Sequence, residues 1–452
     1  MSDSATLTPA AAAHGEHDHD HEPIQLTRQQ VYLTPGKLDL LQRFAIALCG
    51  AGAIMTLINC VAVGLQQTMF SYLFAFYFVL TVSLGGLFWT QIHHLTAAGW
   101  STGIRRTYEN FIRVLLVMGL LFIPIWLCLT QLYEWAAIHS AGETANNPNL
   151  RGGKGFYLSW PFFTVRVLLY FGVWGFFGYK FLKMSQEQDQ SGDPELSRKM
   201  AGLSAPATLL LGVTATFAGF DLVMSLDYAW FSTMFGVYTW AGCIRSSLAT
   251  ATLTVLLLRA AGHLHGVITR EHMHDLGKLL FGFTVFWTYI AFSQYFLYWY
   301  GNMPEETRWF LRRQGTELNG EFVYTSWRYV GYLLPVCHFA IPFFFLMPRT
   351  IKRIPLALGI AAAWILTFHM VDVYWQIMPT YYDGGLWSRV VTGDDGKQTI
   401  EQNIAAGLLT DISALAFTVG LFLTILIYGL KTHPLVPIKD PRLEESLLHE
   451  QE

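Results

Sequence analysis

Charged side chains are scarce in this sequence, where they make up 13% of the 452 residues. A soluble globular protein carries about 25%. Hydrophobic residues account for 53%, and the mean hydropathy is +0.35. So little charge with so much apolar surface is typical of a polytopic membrane protein. The net charge of -3 also excludes the strongly basic field of a nucleic-acid-binding protein.

Cysteine patterns that hold cofactors are missing as well. The five cysteines lie in apolar segments, and none forms a C-x-x-C or C-x-x-C-H spacing. This excludes a c-type haem site, a zinc knuckle or an iron–sulfur cradle built by this chain. Walker loops, G-x-G-x-x-G turns and catalytic nucleophile motifs are absent too. We therefore predict no redox centre, no metal site and no catalytic residue in this chain.

The N-terminal stretch lacks the apolar h-region of a signal peptide. Residues 1–35 are rich in Ala, Ser and Thr and then in alternating histidines and carboxylates, which predicts a disordered cytoplasmic tail. Weak binding of a divalent metal is the alternative use of such a run. The histidines are His14, His17, His19 and His21. We assign 36–432 to the membrane domain and 433–452 to a C-terminal cytoplasmic tail.

Apolar stretches of about 20 residues, the length that a ~30 Å hydrocarbon core requires, recur along the chain. They predict an all-α polytopic membrane protein with ten transmembrane helices. The predicted spans are 42–64, 70–94, 111–135, 160–183, 200–224, 232–259, 277–301, 325–347, 354–379 and 407–430.

The distribution of Lys and Arg predicts the orientation. With the N-terminus inside, the inner segments hold 19 of these residues and the outer segments 8. Cytoplasmic loops carry the excess of positive charge. Both termini are therefore expected in the cytoplasm.

Two spans open with the same pattern, F-S-x-x-F-x-x-Y, at Phe70–Tyr77 and Phe231–Tyr238. They are four helices apart and run in the same predicted direction. Parallel repeats occur in membrane proteins. In a chain this rich in Phe and Tyr, chance is an equal alternative.

Ionisable residues inside spans are costly and point to function. Depths follow from a rise of ~1.5 Å per residue. They place Asp221 in the outer half and Arg245, His338 and His369 near mid-depth. Further polar residues fall at the outer level (Glu134, Arg166, Asp372, Asp411) or at the inner rim (His93, His94, Arg105, Arg106, Glu109).

His369 and Asp372 are three residues apart and therefore share a helix face. A histidine and a carboxylate on one face can relay protons towards the outer surface. The alternative is that both side chains only tie helices together through hydrogen bonds. A pairing of Arg245 with Asp221 is a further hypothesis. Single histidines at 338 and 369 do not give the paired ligands from two helices that a membrane haem b requires.

Three segments together resemble the NrfD/PsrC-like integral membrane subunits, and most closely those of alternative complex III, a bacterial quinol:cytochrome c oxidoreductase. They are Leu276–Thr307, Asp221–Gly236 and Gln91–Arg106, and they extend over helices two to eight. Within these segments, His-His-Leu-Thr-Ala-Ala-Gly-Trp, together with the segment from His369 to Asp372, is similar to the second of the two such subunits.

The resemblance implies ten helices, as two four-helix bundles plus two further helices, in the bacterial inner membrane. It implies a scaffolding subunit of the oxidoreductase without a redox centre, with a quinone-facing pocket, bound quinone or quinol, and lipids. The expected partners are the second NrfD-like subunit, a periplasmic iron–sulfur protein, multihaem and monohaem cytochromes c, and a terminal oxidase. The residues matched to an outward proton half-channel are Asp221, Arg245, His338, His369 and Asp372.

Two other classes of protein fit the same composition. A secondary transporter would use helices broken near mid-membrane, and four prolines interrupt spans. They are Pro124, Pro206, Pro335 and Pro342. A purely structural anchor would carry the same buried charges without moving protons.

Overall fold

Ten long apolar helices dominate the structure, a computed structural model that describes residues 6–7, 26–34, 36 and 38–450. All ten are long and apolar enough to cross a membrane, which confirms the predicted all-α polytopic fold. The His-rich run of the N-terminal tail lies outside the described residues. The helices are α1 Asp39–Ala62, α2 Leu65–Leu95, α3 Thr102–Leu121, α4 Trp160–Ser191, α5 Pro194–Leu222, α6 Met234–Ala260, α7 Arg270–Gly301, α8 Trp327–Leu346, α9 Pro355–Ile377 and α10 Ile404–Thr432.

Short elements connect these helices. The helical ones are Arg28–Val31, Ile123–Leu127, Leu129–Leu132, Glu134–Ser140, Thr144–Asn146, Pro148–Leu150, Gly153–Tyr157, Met224–Asp227, Pro304–Arg312, Arg349–Arg353, Met378–Thr380 and Leu443–Leu447. Three antiparallel pairs of strands join β1 Thr6–Leu7 to β2 Leu26–Thr27, β3 Gly315–Leu318 to β4 Glu321–Tyr324, and β5 Ser388–Thr392 to β6 Gln398–Gln402. The last two pairs are hairpins in the loops before α8 and α10, and the sequence did not predict them.

Helices α2 to α5 pack into one four-helix bundle and α6 to α9 into a second, while α1 and α10 pair beside the first. The bundles meet along α2 and α6. In these two helices 94% and 89% of the most apolar window is buried, more than in any other candidate span of the described residues. At their contact Gly85 has no side chain, and a Cβ there would lie 2.0 Å from the Cys243 carbonyl oxygen. The side chains of α2 and α6 are therefore packed against other helices of the protein on nearly all faces of each helix.

The third span differs from its prediction. The sequence predicted 111–135, whereas the observed span begins with α3 at Thr102 and, after a break at Phe122, continues in the short helix Ile123–Leu127. The inner start carries Arg105 and Arg106, which are buried by ion pairs and therefore tolerated inside the helix. Glu134, predicted inside the span, is exposed and begins a separate short helix.

Both ends of the described chain pack on the same side. The backbone of Val31 accepts a hydrogen bond from Leu435 N at 2.7 Å, and Gln30 Nε2 donates to the His265 carbonyl at 2.8 Å. Asp440 forms an ion pair of 2.5 Å with Arg105, both about 1% exposed. Residues 26–34, which the sequence assigned to the disordered tail, are therefore folded against the end of the bundle.

Candidate functional site

Four of the five residues matched to a proton path lie together inside the second bundle. Arg245 comes from α6, His338 from α8, and His369 and Asp372 from α9, and each is at most 2% exposed. His338, His369 and Asp372 each place one ring nitrogen or carboxylate oxygen so that the three atoms lie within 4.8 Å of one another. Arg245 Nη2 lies 2.5 Å from Nδ1 and 2.6 Å from Nε2 of His338. We call these four residues the central cluster.

His338 occupies an irregular turn of α8. Pro335 has no N–H to donate, and its ring crowds the preceding turn, so the α-helical hydrogen bonds cannot continue through it. The chain forms a π-helical segment over Pro335–Ala340 instead. Trp364 Nε1 donates to the Cys337 carbonyl in this segment at 2.6 Å. Such π turns are rare and occur frequently at functional sites.

His369 connects the central cluster to the first bundle. Its Nε2 lies 2.9 Å from Thr81 Oγ1 on α2. Gly242 on α6 makes room for the ring, because a Cβ at that position would lie 3.0 Å from His369 Cε1. The imidazole is therefore held at the junction of α2, α6 and α9.

Asp372 is held by two neutral donors. The Tyr238 hydroxyl donates to Oδ1, and Gln376 Nε2 donates to Oδ2 at 3.1 Å. Since Arg245 instead contacts His338 and lies 4.9 Å from the centre of the Trp287 ring, no direct ion pair neutralises Asp372 among the described residues. A carboxylate bonded only to neutral groups can exchange a proton without breaking a salt bridge.

Two polar atoms of the central cluster have no hydrogen-bond partner in the structure. They are Nη1 of Arg245 and Nδ1 of His369, both fully buried. A buried group without a partner costs about 1–3 kcal/mol, so such atoms need an explanation in function or in internal water. These two atoms are suited to bind a water molecule that would take part in proton exchange.

The residue types of the central cluster also match those of metal ligands, so a metal centre must be considered. Arg245 Nη2 already contacts both ring nitrogens of His338. A divalent ion there would have to displace a fixed positive charge. Both oxygens of Asp372 are also engaged by Tyr238 and Gln376. The geometry therefore favours a hydrogen-bonded cluster over a metal site.

Asp221, the fifth matched residue, lies in the first bundle and has other partners. Arg166 binds it through two parallel hydrogen bonds of 2.8 and 2.9 Å, and the Tyr170 hydroxyl donates a third at 2.7 Å. Arg166 also stacks on the Tyr157 ring at 3.7 Å. The hypothesis of an Arg245–Asp221 pair is therefore wrong, because Arg166 saturates this carboxylate.

Another buried carboxylate, that of Asp411 on α10, accepts hydrogen bonds from several different elements. Ser71 Oγ donates to Oδ1 at 2.6 Å, whereas Tyr374 Oη and Trp387 Nε1 donate to Oδ2 at 2.7 and 3.0 Å. These donors come from α2, α9 and the loop before α10. Asp411 is thus buried and bonded to neutral donors, as Asp372 is, but it lies outside the central cluster.

Arg313 covers the end of α9 beyond Asp372. It stacks on Trp309 at 3.3 Å and donates to the carbonyl oxygens of Trp375 at 3.0 Å and Gln376 at 2.5 Å. Burial, and then the nearby Arg312 guanidinium, lower the pKa of Arg313 well below its usual value. Gln376 and this arginine therefore lie between Asp372 and the loop that precedes α8.

The end of the protein that carries the chain termini holds a second set of buried polar residues. Arg106 pairs with Glu109 at 2.7 Å and with Asp189. All four ring nitrogens of His93 and His94, and both side-chain amide atoms of Gln91, have no hydrogen-bond partner. The predicted rim position of these histidines agrees with their place at the end of α2.

Residues that sequence reasoning missed include Tyr238, Gln376 and Thr81. The repeated pattern F-S-x-x-F-x-x-Y could have pointed to Tyr238, because Tyr238 and its counterpart Tyr77 both stand at the end of that pattern. Both tyrosines are buried: the Tyr77 hydroxyl lies 3.0 Å from Thr239 Oγ1 where α2 and α6 meet, whereas Tyr238 points into the second bundle, towards Asp372 and Trp287. No pattern in the sequence marked Thr81 or Gln376.

A comparison with models of known protein families finds none that matches this chain. A comparison with curated proteins finds no similar sequence. The function is therefore argued from the central cluster and its surroundings.

Proposed function

We propose that the protein is a membrane subunit of a respiratory quinol:cytochrome c oxidoreductase of the alternative complex III type, in which it scaffolds the complex and carries protons. The observation that carries the proton part is the central cluster. It places three buried titratable side chains with one ligand atom each within 4.8 Å, and buried ionisable groups inside membrane spans are costly enough to point to a function such as proton exchange. Two four-helix bundles plus a helix pair support the assignment to this class of subunit.

Proton movement within the central cluster needs only short steps. A separation of up to 4.8 Å between acceptor atoms is within reach of one bridging water. His338 accepts from the guanidinium of Arg245, which requires a ring nitrogen with a free lone pair. A proton held by Asp372 can then pass to or from His369, and Arg245 limits how much positive charge the imidazoles can hold.

The outward half-channel of this proposal starts at Asp372 and excludes Asp221. Gln376 is bonded to Asp372, and Arg313 lies against the Gln376 carbonyl at the outer loop. Asp221, fully paired with Arg166, stabilises the first bundle instead. We also propose that a quinone reaches the subunit from the lipid phase, with its ring near the central cluster.

We further propose that the protein lies in a bacterial inner membrane with both termini in the cytoplasm. The ends of the described chain pack on one side, and that side carries most of the Lys and Arg. A reporter fused to the C-terminus should be active only as a cytoplasmic enzyme. Activity of a periplasmic reporter at that position would show that the proposed orientation is wrong.

Purification of the native assembly tests the proposed complex. Solubilised under mild conditions, the tagged protein should bring down a second NrfD-like subunit, an iron–sulfur protein and haem-staining cytochromes c in fixed ratio, together with quinol oxidation. A terminal oxidase is expected in the same preparation. Isolation of a lone oligomer that transports a solute would identify a secondary transporter and refute the complex.

A further inference from the structure

A groove with a hydrocarbon lining runs between α6 of the second bundle and the pair of α1 and α10, on the side of the chain termini. Its volume is about 280 Å³. One wall is the stripe of α10 from Val419 to Leu430, and the other is the stripe of α6 from Thr250 to Ala261. Within each stripe the lining residues recur every three to four positions, as one face of a helix requires.

The groove spans one leaflet in depth. Each stripe extends over eleven residue steps, which corresponds to about 16 Å of helix. Half of a ~30 Å hydrocarbon core is about 15 Å. The groove ends near mid-membrane at Phe78 and Leu366, and at the interface near Leu38. Its length therefore matches the acyl region of one leaflet.

The lining offers a ligand no polar contacts. Thr250 and Thr254 are the only lining residues with hydroxyls, and these donate to the carbonyls of Ser246 and Thr250, both at 2.8 Å. Phe78 lies between the groove and His369, with its ring centre 5.9 Å from the imidazole. A quinone ring would find no donor for its carbonyl oxygens here, whereas a hydrocarbon chain needs none.

The groove also opens sideways. Leu257 and Leu41 at its edge are 69% and 45% exposed, whereas Phe422, Leu426 and Ile427 in its floor are less than 10% exposed. A chain from the surrounding leaflet can therefore enter without rearrangement of the helices. Water does not fill a cavity with an apolar lining. Because this groove opens into the hydrocarbon of the bilayer, an acyl chain can occupy it.

We propose that this groove binds one acyl chain of a phospholipid from the leaflet on the side of the chain termini, as a lipid that remains with the purified protein. Binding of the chain between α6 and α10 gains free energy from packing against a preformed surface and not from leaving water, because the lipid comes from the bilayer. The proposal goes beyond the proposed function and does not depend on it.

Native mass spectrometry of the detergent-purified full-length protein tests this site. The wild-type protein should retain one phospholipid after extensive washing. Leu253→Trp on α6 and Leu423→Trp on α10 each fill the groove and should lose it. Leu168→Trp adds the same bulk at a lipid-facing position of α4 that is 67% exposed, and should keep it.

Thermal unfolding of each variant shows whether it is folded. Because the two groove substitutions lie on different helices, the test still stands if one of the variants does not fold. The inference is overturned if the folded groove variants keep the same lipid as the wild type, or if the retained mass is a quinone. Loss of the lipid with cytochromes still bound would leave the proposed complex standing, and a lone protein that keeps its lipid would leave only this inference standing.

Discussion

Asp372→Asn should abolish proton-coupled turnover while the complex still assembles. Asparagine has the size of aspartate, and its Oδ1 still accepts the hydrogen bond from Tyr238. Its Nδ2 can donate to Gln376 Oε1 once that amide flips, so the packing around α9 should remain. It cannot take up a proton, and loss of a positioned proton-transfer group lowers rates by about 100-fold or more. Quinol oxidation per assembled complex and proton release in vesicles are the two measurements.

Asp411→Asn is the matched control for this substitution. Asp411 is a buried carboxylate that accepts three hydrogen bonds from neutral donors, but it lies outside the central cluster. Its replacement should lower stability and leave turnover per assembled complex unchanged. His369→Gln should behave as Asp372→Asn does, since glutamine can keep the bond to Thr81 but cannot titrate. Unchanged turnover in both cluster variants would reject the relay and leave a scaffold.

Arg166→Met should strongly destabilise the protein with little direct effect on proton movement. The substitution leaves Asp221 as a buried charge that keeps the hydrogen bond from the Tyr170 hydroxyl but no ion-pair partner. Removal of one partner from a buried ion pair costs about 3–5 kcal/mol. The double variant Arg166→Met with Asp221→Leu should recover part of that loss, because no charge is then left unpaired. Chemical unfolding in detergent would measure both.

Arg198→Met is the control for the ion pair. Arg198 bonds Glu195 at 3.0 Å, but its side chain is 77% exposed, so its loss should change the unfolding free energy by less than about 1 kcal/mol. If Arg166→Met were as stable as the wild type and instead lost turnover, Asp221 would belong to the proton path after all.

Much of the architecture could be predicted because a bilayer constrains the sequence locally. Apolar length predicts a span, and all ten predicted spans overlap their helices, with the largest displacement in the third, which begins at Thr102 and not at 111. The third span is displaced because Arg105 and Arg106, as adjacent charges, predict a segment outside the membrane, whereas ion pairs with Asp440 and Glu109 bury them inside the helix. Asp440 is distant from Arg105 in the sequence, and Glu109 adds a further charge to the segment, which makes it look less like part of a span.

The candidate site was predictable in part for the same reason. His369 and Asp372 share a face of one helix, so their proximity follows from helix geometry. His338 joined them only because the π-helical turn at Pro335–Ala340 and the packing of α8 on α9 bring it there. Tyr238, Thr81 and Gln376 are ordinary residues in the sequence, and their role exists only through contacts across helices.

The sequence by itself determined that this is a ten-helix membrane protein with a handful of costly ionisable groups, because hydrophobic length and charge are properties of single segments. The tertiary structure alone decided which of these groups act together. Arg166, not Arg245, pairs with Asp221, and Arg245 turns to His338 instead. Partner choice depends on helix rotation and depth to within a few ångströms, and those are set by how all ten helices pack.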